Sequence, residues 1–400
     1  MMKSTISQMN AMTVVALLSV VSCILKNNGG VTALQNPFNF GPKSSSSSSS
    51  TSLPAPLLER RTLGTLSISP MGLGTLNLPL SVEQDDTMTD VLKTCYYDEN
   101  NHNVNFVDTA EAYGFGKSEI LVKNSLIDAG IPKYMDSDGS SDQKENDNDN
   151  GMIIATKFAP VPWRTEASCV VDACKSSAQR LGVSKIPLYQ IHFPDKIQPF
   201  KMFGYENIKD TLYWDGIAQC YEMGLIENVG VSNYGPEYLL RCHEALSKRN
   251  VPIASNQINF SLARYKSSLS TMNMCKEMNI PVLAYFPLAN GLLAGKYSED
   301  NPPTKFPKSL TMKKYYESTK PLLKTLRDIA NSKDKTMAQI SLNWIMMKDA
   351  IPIPGARDSI MATDNFNSLG WTLSEDEMNR LDEASMISTM EFSSGGFELE

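Results

Sequence analysis

A chain of 400 residues is long enough for two or three domains, or for one α/β barrel with long loops. Hydrophobic residues make up 42% of it and charged residues 20%, which is typical of a globular protein. The net charge is −7 and no stripe of basic residues occurs along the chain, which argues against nucleic-acid binding.

Residues 1–58 have the composition of a targeting leader. Lys3 precedes an apolar run over 12–25 with the length of a signal-peptide core, and small residues at 31–33 offer a cleavage site. The stretch 34–58 is rich in serine and has no acidic residue. This two-part composition resembles the leaders that direct proteins to plastids of secondary origin. Secretion, or an uncleaved anchor in an endomembrane, is the alternative.

The rest of the chain alternates between predicted strands and helices. A β-hairpin is expected over 62–69, before a first strand at 71–75. Gly72 and Gly74 do not indicate a dinucleotide-binding loop, because no third glycine and no helix follow directly. Apolar runs predict further strands at 104–108, 151–157, 188–192, 226–233, 253–260, 281–288 and 351–354. Helical spacing and stop signals predict helices at 86–98, 116–130, 170–181, 211–224, 236–249, 268–278, 314–331, 337–348, 360–369 and 375–386.

Eight strand–helix alternations predict the α/β class and, within it, a (β/α)8 TIM barrel with an N-terminal β-hairpin and extra C-terminal helices. One segment, 134–151, interrupts the alternation: its residues 134–150 hold six acidic residues and one lysine. Such a stretch cannot bury enough apolar surface to order itself, so we expect a disordered acidic insertion. The barrel domain is then 59–388, followed by a tail at 389–400.

The seven cysteines are scattered and show no Cys-x-x-Cys spacing. We interpret them as small buried hydrophobic residues in a reducing compartment, rather than as disulfides or metal ligands. The three histidines also stand far apart in the sequence. The sequence therefore predicts no metal site.

Four side chains with acid–base chemistry stand at or near the ends of predicted strands: Asp108, Tyr113, Lys157 and His192. Taken singly, Asp108 is a turn or cap residue, or one half of a structural ion pair with Lys157. Tyr113 is then a half-buried ring and His192 a core histidine. Because the active sites of α/β barrels lie at strand carboxyl ends, the four together favour a catalytic interpretation.

These residues have complementary roles in reducing a carbonyl by hydride transfer. The alkoxide that forms must gain a proton, and a phenol is a poor acid at neutral pH unless a neighbouring charge favours its ionised form. Lys157 can supply that charge to Tyr113, and Asp108 can keep Lys157 protonated. His192 can bind the carbonyl oxygen and fix its direction.

Six motifs, in order, make the chain resemble the aldo-keto reductases. They are Asn-Phe-Val-Asp-Thr-Ala-x-x-Tyr-Gly at 105–114, Thr-Lys-Phe at 156–158, Tyr-Gln-Ile-His at 189–192, Gly-Val-Ser-Asn-Tyr at 230–234, Ser-Asn-Gln-Ile-Asn at 255–259 and Ile-Pro-Ile-Pro-Gly at 351–355. The resemblance runs from about residue 60 to about 384, and the segments 299–303 and 370–374 are similar to plastid-type members. It implies an NADPH-dependent reductase of aldehydes or ketones, with the four roles just given.

The resemblance also implies a cofactor site. Ser232, Asn233 and Gln257 would bind the nicotinamide carboxamide, and Tyr285 would stack on the ring. The pyrophosphate would meet backbone amides from Leu288 onward and the side chain of Lys296. Gly355, Arg357 and Asn365 would hold the adenosine 2′-phosphate and adenine, where the forked donors of an arginine suit a phosphate.

Aromatic residues suggest the lining of a substrate pocket: Trp163, Phe193, Phe200, Phe203 and Tyr205. A small-molecule carbonyl is the expected partner. The alternative to an enzyme is a cofactor-sensing regulatory barrel, as in the potassium-channel β-subunits of this superfamily.

Overall fold

The computed structural model describes residues 57–76, 86–97, 103–134, 151–195, 209–298, 301 and 308–388, with side chains from 316 onward in the last range. The expectations for residues 1–56 of the leader, for 135–150 of the acidic insertion and for the tail at 389–400 lie outside these residues, while Leu57 is described and buried. Among the described helices, none is both long enough and apolar enough to span a bilayer.

Eight parallel strands form one sheet in sequential order. They follow an antiparallel hairpin made of β1 (Arg61–Leu63) and β2 (Leu66–Ile68). The sheet strands are β3 (Leu73–Gly74), β4 (Phe106–Asp108), β5 (Ile153–Phe158), β6 (Ile186–Ile191), β7 (Ile226–Ser232), β8 (Ile253–Asn259), β9 (Val282–Tyr285) and β10 (Ala350–Pro352).

Backbone hydrogen bonds join the two ends of this sheet. The amides of Gly72 and Gly74 donate to the carbonyls of Pro352 and Pro354 at 2.9 and 3.0 Å. A Cβ on Gly74 would lie 2.7 Å from the carbonyl oxygen of Ile353, so a side chain there would push the first and last strands apart. The sheet therefore curls until its edges meet, and its two faces become an inside and an outside.

In the described part of the chain, ten α-helices connect or follow the strands: α1 (Asp86–Tyr96), α2 (Lys117–Ala129), α3 (Ser168–Leu181), α4 (Asp210–Glu222), α5 (Pro236–Ser247), α6 (Tyr265–Glu277), α7 (Lys308–Lys333), α8 (Met337–Met347), α9 (Ser359–Phe366) and α10 (Glu375–Ile387). The expected eight-stranded parallel α/β architecture, its hairpin and the additional C-terminal helix are thus present. The largest boundary difference is α7, which begins at Lys308 rather than 314 and contains Pro321.

Local sequence signals account for several helix ends. Gly130 ends α2 with a left-handed backbone (φ 69°), a conformation that glycine adopts without strain. Thr336 and Gln339 form a capping box at α8, and Ser374 and Glu377 form another at α10. Each box satisfies two backbone groups that a helix start otherwise leaves without partners.

The hairpin covers the amino-terminal end of the barrel. Its Leu63, Leu66 and Ile68 are buried and pack in one cluster with interior side chains from six strands: Phe106, Ile153, Ala155, Leu188, Ala254, Leu283 and Ile351. The two ends of the acidic insertion lie on the same side, since the Tyr134 hydroxyl donates to Glu227 near the start of β7. The hairpin does not cover the opposite end of the barrel, at the strand carboxyl ends, which is where α/β barrels carry their active sites.

Of the six cysteines in the described residues, five are buried and Cys169 is partly exposed. Their burial agrees with the interpretation as small hydrophobic side chains.

Candidate active site

Four predicted catalytic residues lie at the carboxyl-terminal ends of neighbouring strands. Asp108 is the last residue of β4, Lys157 lies near the end of β5, and His192 directly follows β6. Tyr113 lies in the connection between β4 and α2. The Nζ of Lys157 is 2.5 Å from Asp108 Oδ2 and 3.4 Å from the Tyr113 hydroxyl oxygen. The rings of Tyr113 and His192 meet edge to face, with centroids 5.7 Å apart.

Lys157 is a fully buried ammonium group. Its Nζ donates to Asp108 and Tyr113, and also to the carbonyl oxygen of Thr109 at 2.8 Å. Burial favours the neutral amine, but the charge of Asp108 and the hydrogen bonds more than offset it, so the pKa of Lys157 lies above its ordinary value. The lysine therefore carries a positive charge next to the phenol at neutral pH.

Asp108 is held by more than its lysine. Its Oδ2 faces Lys157, while its Oδ1 accepts hydrogen bonds from the amides of Gln190 at 3.0 Å and Gln257 at 2.9 Å. Sequence reasoning missed Gln190. The available signal was its position two residues before His192 in a buried strand, because residues two apart in a strand face the same side.

Tyr113 has a protonated phenol at neutral pH. Burial raises the pKa of Tyr113, and the Lys157 charge acts in the opposite direction. The next three residues, Gly114, Phe115 and Gly116, all have positive φ, of 62°, 56° and 85°. This left-handed turn separates Tyr113 from α2, and it costs energy at Phe115, which has a side chain.

His192 is a neutral imidazole. Burial, and then the charge of Lys157, hold the pKa of His192 well below its ordinary range. Its buried Nδ1 has no hydrogen-bond partner among the described residues. Its backbone is fixed on both sides, since its amide donates to Phe158 and its carbonyl accepts from the Asn233 amide. A neutral, partly unsatisfied imidazole beside a phenol can bind a carbonyl oxygen.

The residues expected at the nicotinamide form one hydrogen-bonded group beside His192. The Asn233 Nδ2 donates to the His192 carbonyl and to Ser232 Oγ, both at 3.0 Å, and Asn233 Oδ1 accepts from the Tyr285 hydroxyl at 2.6 Å. Asn233 has φ 64°, a conformation that asparagine tolerates better than most residues. Gln257 does not join this group through its Nε2, which points into the barrel toward Asp108 and Gln190.

The residues expected at the phosphates and adenine follow β9 and β10, at the same end of the barrel. Lys296 and Arg357 are exposed, Leu288 is partly buried, and buried Asn365 donates to the carbonyl of Gly355 at 3.5 Å. Within residues 286–298, the described stretch that follows β9, five residues have positive φ: Phe286, Ala289, Asn290, Gly291 and Gly295. Such a backbone can direct several amides toward one anion.

The predicted substrate residues are separated by the structure into two groups. Phe193 is 9% exposed and its ring lies 5.5 Å from that of His192, whereas Trp163 is 66% exposed. Phe200, Phe203 and Tyr205 lie outside the described residues.

An ion pair connects the segment that carries Trp163 to the segment that carries Tyr113. Arg164 bonds both carboxylate oxygens of Glu111, and its guanidinium also donates to the Ala159 carbonyl at 2.9 Å. Sequence reasoning missed Glu111 and Arg164, because nothing in their spacing indicates that two loops meet. The pair restrains the segment around Trp163 relative to the segment that carries Tyr113.

Comparisons with known proteins show similarity to one family. Residues 70–386 match the model of the aldo/keto reductase family. Pyridoxal reductase, chloroplastic, from Arabidopsis thaliana is 35% identical over 325 residues, covering 80% of this chain and 84% of that protein. An aldo-keto reductase of Schizosaccharomyces pombe whose name specifies NADP(+) is 25% identical, covering 70% of this chain and 78% of that protein.

Solved structures share the fold. The glycerol dehydrogenase of Gluconobacter oxydans superposes with a TM-score of 0.64 at 22% identity, covering 82% of this chain and 95% of that one. An aldo-keto reductase of Bombyx mori in complex with NADP superposes with a TM-score of 0.56 at 22% identity, covering 83% and 94%.

The neutral state of His192 predicts a pH-dependent stability difference. Unfolded histidine takes up a proton below a pKa of about 6.5, whereas His192 in the folded protein does not, so acid favours unfolding. This destabilisation is absent above about pH 7.5 and grows as the pH falls to about 5, through the range in which an unfolded histidine becomes charged. Denaturant titrations of the native protein and His192→Gln should show the native protein losing more stability between these pH values. Parallel losses would contradict a neutral, buried His192.

Proposed function

This chain belongs to the aldo/keto reductase family, and we propose that within it the protein is an NADPH-dependent reductase of an aldehyde or ketone, with Tyr113 as the general acid. The observation that carries the proposal is the buried Lys157 ammonium, which lies between the carboxylate of Asp108 and the phenol of Tyr113. The relatives named above are reductases or dehydrogenases, which favours an enzyme over a regulatory barrel.

The residues at the ends of β7 and β9 fit a nicotinamide cofactor. A carboxamide needs both donors and acceptors, and Ser232, Asn233 and Tyr285 supply hydroxyl and amide groups beside His192. When bound, NADPH supplies the hydride for the carbonyl carbon.

The protein's own residues bind the carbonyl oxygen and supply its proton. His192 and Tyr113 direct the carbonyl oxygen, and the Tyr113 hydroxyl gives its proton to that oxygen as negative charge develops there. Lys157 stabilises the phenolate left behind, and Asp108 keeps Lys157 charged. The phenolate then regains a proton from solvent, so one carbonyl, one NADPH and one proton yield an alcohol and NADP+.

Tyr113→Phe should lower kcat by roughly 10²–10⁴ and leave NADPH affinity nearly unchanged, because only the acidic proton is removed. NADPH oxidation at 340 nm measures turnover, and quenching of protein fluorescence measures cofactor binding. Tyr134→Phe is a matched control, since it removes a tyrosine hydroxyl at the hairpin end of the barrel. Native turnover in Tyr113→Phe would remove Tyr113 from the mechanism.

A preference for NADPH over NADH rests on Arg357. Its guanidinium is exposed just after the last strand, and a guanidinium can bind a phosphate through two parallel hydrogen bonds. Arg357→Ala should raise KM for NADPH roughly 10–100-fold and KM for NADH by less than about twofold. Arg380→Ala, which removes an exposed arginine from α10, is the control. Equal effects on both cofactors would refute 2′-phosphate recognition by Arg357.

Pyridoxal is the aldehyde that we propose as the substrate class to test first. The Arabidopsis relative is named for its reduction, and Phe193 offers an aromatic face beside His192. Comparison of kcat/KM for pyridoxal with that for aliphatic aldehydes of similar size tests this proposal. Reduction of the aliphatic aldehydes alone would exclude a pyridoxal-like substrate.

A plastid location is proposed from the composition of residues 1–58, and the word chloroplastic in the name of the Arabidopsis relative supports it. A fluorescent protein carrying residues 1–58 should enter plastids. Its secretion would instead support the simple signal-peptide alternative.

A further inference from the structure

Three polar side chains fill one layer of the barrel interior behind Lys157. They come from alternate strands: Asp108 from β4, Gln190 from β6 and Gln257 from β8. Their exposed fractions are 2%, 0% and 2%. In α/β barrels such layers are usually built from bulky apolar residues of alternate strands. A layer of polar residues therefore suggests that these side chains have a role beyond packing.

The layer is internally hydrogen-bonded. The amides of Gln190 and Gln257 both donate to Asp108 Oδ1, and the Gln257 amide lies 3.3 Å from Gln190 Oε1. A buried carboxylate without donors would be strongly destabilising, so these amides replace water around Asp108. They also fix the orientation in which Oδ2 faces Lys157.

A glycine makes the room for Gln190. Gly230 on β7 is the register partner of Gln190, and a Cβ there would lie 2.7 Å from Gln190 Cγ and 2.7 Å from Ser255 Oγ. Any other residue at 230 would force the Gln190 side chain to shift. The missing side chain at Gly230 therefore leaves the space that the Gln190 side chain occupies.

We infer that Gln190 is a positioning residue, whose amide holds the Asp108 carboxylate against Lys157 and thereby keeps the Lys157–Tyr113 pair in place. The inference rests on the proposed reductase function for its kinetic consequences. Among the described residues, no hydrogen bond joins Gln190 to Tyr113 or His192. Its effect on catalysis therefore passes through Asp108.

Gln190→Glu tests the hydrogen bond to Asp108 separately from the filling of space, because glutamate has nearly the same size and shape as glutamine. An ionised Glu at 190 would have no donor and would repel Asp108, whereas a protonated Glu would again donate one hydrogen bond. Two adjacent carboxyl groups share one proton and titrate as a pair. Among the described residues, the other titratable groups near this layer are Lys157, which contacts Asp108, and Tyr113 and His192 beyond it. Lowering the pH therefore restores a hydrogen-bond donor at position 190 in Gln190→Glu, but not in Gln190→Met, which has no group to protonate.

The first experiment compares kcat/KM across pH 5.5 to 8.5. Gln190→Met should be roughly 10–100-fold slower than native at every pH, since it loses a hydrogen bond to a charged group. Gln190→Glu should be equally slow at pH 8.5 and should regain about tenfold or more, relative to native, at pH 5.5. NADPH affinity should stay within about twofold in both.

Asn256 on β8 provides matched controls. It is as buried as Gln190, but its amide donates to the Tyr234 carbonyl on the outer side of the barrel. Asn256→Asp corresponds to Gln190→Glu, and Asn256→Leu corresponds to Gln190→Met. The pH profiles of both Asn256 variants should keep the native shape. Parallel profiles for Gln190→Glu and native, or a Gln190→Met rate within twofold of native, would overturn the inference.

A crystal structure of Gln190→Met gives a readout that does not depend on turnover. The distance from Lys157 Nζ to Asp108 Oδ2 should increase beyond 3.5 Å, while Asn256→Leu should keep the native distance. An unchanged distance in Gln190→Met would refute the positioning role even if the protein reduced no carbonyl. If the native protein reduced no carbonyl and this distance did increase in Gln190→Met, only the proposed function would be refuted.

Discussion

The buried ion pair between Lys157 and Asp108 is the interaction on which the rest of the site depends. Removing both charges from water is costly, and their attraction offsets that cost only when their remaining hydrogen-bonding groups are also satisfied. The structure meets this condition with the Thr109 carbonyl for Lys157 and two amides for Asp108. Loss of either partner would leave an unpaired buried charge, at a cost of about 3–5 kcal/mol. In the proposed function this buried charge has a use, because it lies beside the Tyr113 phenol.

The barrel makes this arrangement possible because its apolar packing and its polar site residues lie at opposite ends. At the amino-terminal end, the hairpin and interior side chains form an apolar cluster. At the carboxyl-terminal end, parallel strands present polar side chains at one edge, and the connections after β4 and β6 place Tyr113 and His192 there. The Glu111–Arg164 pair then ties two of the connections at this end together.

Sequence reasoning could place Asp108, Lys157 and His192 because the carboxyl ends of parallel strands share one edge, whatever their distance along the chain. It could not find Gln190 as a partner of Asp108, because that contact crosses the barrel and depends on strand register. It also could not fix the direction of Gln257. The register between β7 and β8 shifts at Val229/Gly230, and a shift of this kind changes which residues are neighbours.

A double-mutant cycle on Tyr113 and Lys157 is the sharpest test of this site, because Lys157 is expected to act on proton transfer mainly through the Tyr113 phenol. Single-turnover rates of carbonyl reduction would be measured for Lys157→Met, Tyr113→Phe and the double variant at saturating NADPH. The double variant should react within about threefold of the slower single variant, since the effects of residues that act as a unit do not multiply. Rate losses that multiply would mean that the ammonium and the phenol contribute independently, which would contradict the account.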